Sequence, residues 1–195
     1  MFSEPILRCS GSSSNDSGFL KQIRARTGEL SMAKTVDNLM KMFSSGSESN
    51  ICYLAFAEAA VKEGHPGVSK IFRAVAKAKM FHALSHFRAA KKVDTTLENL
   101  KQAREEESYD YKNACPVMVQ DATAEGAIEA RHSLEYAMSI GPIITKLISK
   151  AIGNLDLDEE GSYFVCPVCG NIEYGKPPNK CPFCGVDSSR FVEVQ

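Results

Sequence analysis

The stretch VCPVCGNIEYGKPPNKCPFCGV, residues 165–186, carries two near-copies of a Cys-Pro-x-Cys-Gly knuckle, and no other feature limits the fold so tightly. Two Cys-x2-Cys pairs separated by 11 residues can bring four thiolates to the corners of a tetrahedron around one metal ion. Each proline stiffens its hairpin. Gly170 and Gly185, placed just after the second sulfur of each pair, suit a positive φ that turns backbone N–H groups toward the thiolates. A segment of ~35 residues has too little core to fold unaided, so the metal is also the staple. Tetrahedral four-sulfur coordination suits iron or zinc, and the ligands by themselves leave both open.

The remaining chain is long enough, at 195 residues in all, for one domain with a real core beside this appendage. Net charge is -1 with charges spread over the whole length, so no electrostatic footprint for nucleic acid or an anionic membrane stands out. No run of ~18 apolar residues occurs, and no membrane-spanning helix is expected. Besides the knuckles there are Cys9, Cys52 and Cys115, an odd and scattered remainder. That pattern argues against a secreted disulfide framework and for a reducing, cytoplasmic setting. Cys52 and Cys115 fall within helical patterns and read as small core residues. Residues 1–32 are Ser/Gly-rich without apolar periodicity and read as a disordered arm. They lack a secretory apolar run, and Glu4, Asp16 and Glu29 do not suit a transit peptide. Periodicity begins near Met32, which makes Met1 and Met32 alternative start residues.

Four helical segments follow. The first runs from about Val36 to Lys62 with a stripe including Leu39, Phe43 and Leu54, and SSGSES at 44–49 is a candidate break. The second starts at Pro66, a residue suited to a first helical turn, and reaches about Ala90. Thr95 and Glu98 have capping-box spacing and open the third, which Pro116 is expected to kink. The fourth covers about Ala127 to Ala151 and contains Gly141-Pro142. Four amphipathic helices of this length predict an antiparallel bundle, with the longer connection between the second and third.

The pattern Tyr163-x-x-Cys166-Pro-Val-Cys-Gly, Ile172-x-Tyr174-Gly-Lys-Pro177-Pro-x-Lys-Cys181-Pro-Phe-Cys-Gly, then Phe191, closely resembles the short rubredoxin domain that closes rubrerythrins. AREEESYDYKNACP, TLENL and YLAFAEAAVKEGHPGVSKIFRAVAKAKMFHALSHF likewise resemble rubrerythrin helices. The resemblance implies a mainly α chain: a ferritin-like four-helix bundle over residues 33–152, a linker at 153–162, and a small rubredoxin-like metal-binding β domain at 163–195. It implies one Fe(Cys)4 centre on Cys166, Cys169, Cys181 and Cys184, with zinc as the possible substitute. It further implies a homodimer, an electron-donating redox protein or reductase, and a bundle with two irons that reduces hydrogen peroxide with electrons from the rubredoxin centre.

The family's bundle needs Glu from two helices and Glu-x-x-His from the other two. Placed residue by residue, Glu107 and Asp110 match two carboxylates and share a helix face, and His82 matches a histidine. Lys79 stands where a Glu is implied, and an ammonium has no lone pair for a metal. Gly46 stands at another Glu position, with Glu48 two residues on and ~200° round the helix. Gly141 and Ile144 replace the last Glu and His. Glu129-Ala-Arg-His132 has the right internal spacing, but it precedes the implied position by ~18 Å along the axis, so His132 reads as a surface or core histidine. The remnant set is therefore His82, Glu107, Asp110 and Glu48, too few for a conventional second iron centre in the bundle. The expected function is one-electron transfer through the cysteine site in a peroxide-related pathway. Two alternatives are a peroxidase with a rearranged bundle metal and a zinc scaffold without redox chemistry.

Overall fold

The computed structural model describes residues 30–157 and 160–194. Most of the expected arm, with Cys9, and two residues of the acidic linker lie outside that range. The chain divides into two compact units between Lys92 and Val93.

The first unit is a helical hairpin, α1 (Leu30–Lys62) and α2 (Pro66–Ala89). The helices run antiparallel, as their paired residues show. Phe43 meets Phe87 at 4.7 Å between ring centroids, Asn50 Nδ2 donates to the Ala76 carbonyl at 2.8 Å, and Phe56 meets Phe72 edge-on at 5.7 Å. The expected break at 44–49 does not occur, because α1 is continuous through it. Packing overrides propensity here: Gly46 is buried, and a Cβ on it would lie 3.3 Å from that of Ala83. Ser47 Oγ donates to the Phe43 carbonyl one turn earlier at 2.8 Å, so its hydroxyl is satisfied inside the helix.

The second unit begins with α3 (Thr96–Tyr109), which runs through a π-helical turn (Asp110–Ala114) into α4 (Cys115–Ala124). Pro116 sits in the first turn of α4, where a missing N–H costs little, and the distortion expected there is taken up by the π turn before it. Cys115 is buried, as expected of a core residue, whereas Cys52 is half-buried. Helix α5 (Ile128–Gly153) runs through Gly141 and Pro142 without a break. The small domain adds strands β1 (Tyr163–Val165), β2 (Ile172–Tyr174) and β3 (Val192–Val194) in the antiparallel order β2-β1-β3. Phe164 pairs with Glu173 on one side and Glu193 on the other. The knuckle sulfurs pack with Ile140 of α5 to form the core cluster of this unit, flanked by Tyr136, Ile144 and Phe191.

Half of the Thr95–Glu98 capping box forms. Thr95 Oγ1 accepts from the Glu98 N–H at 3.3 Å, while the Glu98 carboxylate turns outward to Lys101 Nζ at 2.7 Å. The Thr95 N–H is met instead by Asp94 Oδ1 at 2.6 Å. Thr95→Ala therefore leaves a helix-end donor to water and is expected to lower stability by about 1 kcal/mol in chemical denaturation.

Candidate metal centre

Each knuckle is closed by the same two backbone bonds. Gly170 N–H donates to the Cys166 carbonyl at 3.0 Å and Cys166 N–H to that of Asn171 at 2.8 Å; Gly185, Cys181 and Val186 repeat the pattern at 2.9 and 2.8 Å. Gly170 and Gly185 take φ of 77° and 74°, the left-handed conformation their position calls for. The result brings Cys166, Cys169, Cys181 and Cys184 together with all four sulfurs within 4.8 Å of one another.

The sulfur spacing fits a metal and not a disulfide. Cys166 and Cys184 sulfurs are 3.5 Å apart, and Cys169 and Cys181 sulfurs 3.4 Å. A disulfide needs about 2.05 Å. Four ligands at ~2.3 Å from a tetrahedral ion stand ~3.8 Å from each other, close to what is seen. Cys166, Cys169 and Cys181 are buried, and Cys184 is half-buried, giving the site one wetter side.

The thiols ionise unequally. Burial alone would push the Cys166 thiol up, yet the N–H groups of Cys169 and Val168 and the thiols of Cys184 and Cys169 outweigh it and bring it down to about 7. Cys169 and Cys184 are raised, first by burial and then by neighbouring sulfurs, against the opposing N–H groups of Asn171 and Val186. The Cys166 thiolate thus forms readily, whereas those of Cys169 and Cys184 need a cation. Metal uptake must displace protons from at least Cys169 and Cys184, so apparent affinity is expected to fall ~100-fold or more per pH unit lowered from neutrality. Chelator competition at a series of pH values measures that slope.

The other candidate ligands are placed differently. Glu107 and Asp110 come together on the wall of a cavity of about 200 Å³, which Tyr111, Cys115 and Gly141 also line and which reaches Cys169 and Gly170 of the first knuckle. Burial, then Asp110, then Glu106 raise the Glu107 carboxyl above its ordinary value. Glu48 on α1 and His82 on α2 belong to the first unit and are both exposed. Among the described residues, the cysteine cluster is the group of three or more potential ligands that converges. His132 is exposed and lies 3.4 Å from Arg131, in keeping with its reading as a surface histidine.

Packing explains the two glycines at implied ligand positions. A Cβ on Gly141 would stand 2.5 Å from Tyr111 Cβ and 2.7 Å from its Cδ1, so the tyrosine ring fills the room a side chain would need. Gly46 meets Ala83 and the Lys79 carbonyl at 3.3 and 3.5 Å in the same sense. The sequence marks these ligands as missing but not what replaces them, because Tyr111 reaches Gly141 only through the pairing of the π turn with α5. Gly141→Ala should lower stability by about 1–3 kcal/mol in denaturant titration, with the added cost of the methyl group smaller in a Tyr111→Gly background, where both the Cβ and the ring are gone.

A rubrerythrin family model matches residues 37–139, and a model described as the rubrerythrin, rubredoxin-like domain matches residues 164–192. Rubrerythrin-2 of Clostridium acetobutylicum is 27% identical over 176 residues, which are 82% of this chain and 96% of that protein. Nigerythrin of Nitratidesulfovibrio vulgaris is 23% identical, covering 78% and 83% of the two chains. Among solved structures, nigerythrin in a mixed-valence state superposes with a TM-score of 0.50 at 22% identity over 88% of this chain and 89% of that one, a likeness of fold.

Proposed function

Because the chain belongs to the rubrerythrin family, we propose that it is a non-haem iron protein that carries single electrons through its four-cysteine centre in a peroxide-related redox pathway. The observation that carries this reading is the convergence of four sulfurs, within 4.8 Å of one another, on the buried Ile140 face of α5. Iron held by four thiolates supplies a one-electron couple whose potential is set by charge, hydrogen bonds to sulfur and exposure. The chain's own part is to supply those controls. N–H groups of Val168, Cys169, Asn171 and Val186 face the sulfurs and support negative charge on them. Half-buried Cys184, beside exposed Phe183, offers the side on which a redox protein or reductase can approach. A homodimer in a reducing compartment is part of the same proposal. Among the described residues no helix is long and apolar enough to cross a membrane.

A peroxidase reading has one observation in its favour: the cavity bearing Glu107 and Asp110 reaches the first knuckle, so a small oxidant there would lie beside the electron source. Against it, Tyr111 fills the space at Gly141. Metal analysis separates the readings. Electron carriage predicts about one iron per chain, with visible absorption that bleaches on reduction and is lost in Cys181→Ser. Two or three irons per chain, with rapid reoxidation by hydrogen peroxide, would favour the peroxidase instead. A colourless protein holding one zinc would sink both.

A further inference from the structure

The two knuckles match in sequence and in backbone bonding, so their one chemical difference at the closing position can be isolated. Asn171 and Val186 occupy equivalent places, each accepting from the first cysteine of its knuckle at 2.8 Å and each presenting its N–H to the second cysteine's sulfur. The second knuckle shows that a branched apolar side chain suits this backbone. The first has a primary amide there, and it is fully buried, with 0% of its surface exposed. Asn171 Nδ2 donates to Glu173 Oε1 at 2.8 Å, and among the described residues its Oδ1 has no hydrogen-bond partner. An unpaired buried carbonyl weakens a fold.

We propose that Asn171 is a positioning residue for the metal centre: it holds the Glu173 carboxylate, and keeps its own unpaired carbonyl, beside the first knuckle, and thereby favours the oxidised state. The inference rests on the iron reading above. Reduction places one electron from the redox partner on the four-sulfur centre and adds one negative charge there, with no bond made or broken. A fixed carboxylate and the negative end of an amide dipole both oppose that added charge, in surroundings where water screens them poorly. Glu173 is half-buried on β2, and without the amide its side chain is free to turn to solvent.

The test uses the full chain reconstituted with ferrous iron, which makes it independent of the metal the protein carries when isolated. Zinc in the isolated protein would overturn the iron reading while the reconstituted centre still reports on Asn171. Potentials are measured by spectroelectrochemistry for the unaltered chain, Asn171→Val, Glu173→Gln and the double variant. Asn171→Val is expected to shift the equilibrium toward the reduced state by about tenfold, which is about 59 mV for one electron. Its thermal stability should be equal or higher. Glu173→Gln should move the potential the same way, and by clearly less when Asn171 is already Val. An unchanged potential in Asn171→Val with an intact ferric spectrum would overturn the proposal, as would a Glu173→Gln shift of equal size in both backgrounds. Should Asn171→Val fail to take up iron, Glu173→Gln alone decides, and no upward shift in it rejects the inference.

Discussion

Four sulfurs held within 4.8 Å of one another set the terms for the small domain. Its sheet has three strands of three residues each, and β3 is exposed along its whole length, so strand pairing and apolar burial cannot hold it alone. The knuckle cysteines supply the buried groups that the strands lack, with Cys166 at 1% exposure. Burial, and after it the neighbouring sulfurs, hold the Cys169 thiol up, while N–H groups and neighbouring thiols let the Cys166 thiol ionise near neutrality. A metal bound by these four sulfurs would therefore stabilise the folded domain directly. The same cluster includes Ile140 of α5, so the centre's inner side is seated on a helix and its Cys184 side is left wetter.

Much of this was readable from residue order, and what was not has identifiable causes. The knuckles were legible because Cys-Pro-x-Cys-Gly encodes its geometry locally: the turn, the positive φ and both sulfurs lie within five residues. Helix starts at Pro66 and Thr96 were legible for the same reason, through a first-turn proline and the Thr95 cap. The SSGSES stretch misled because propensity says nothing of Ala83 and Asn50, whose contacts with the facing helix keep α1 intact. Pro116 announced a distortion but not its form, since a π turn depends on where Tyr111 must sit. Asn171 was visible in principle, as the polar counterpart of Val186 in a near-repeat. Its burial and its bond to Glu173 were not.

The missing bundle ligands look different once their neighbours are known. A carboxylate deleted from a packed position without other change would leave a cavity or a water pocket there, because interiors relax only partly around deleted atoms. Gly141 does line a cavity, but in the direction a side chain would leave its backbone Tyr111 stands where even a methyl group would collide. At Gly46 the facing helix has closed to within van der Waals contact. The glycines are therefore packing residues in their own right, and neither site could regain a Glu by one substitution without displacing a neighbour. Glu107 and Asp110 are under no such pressure: Asp110 is exposed, and the half-buried Glu107 carboxyl is raised first by burial and then by the Asp110 charge. Two carboxylates remaining beside a cavity are thus compatible with a stable unit whether or not a cation visits them.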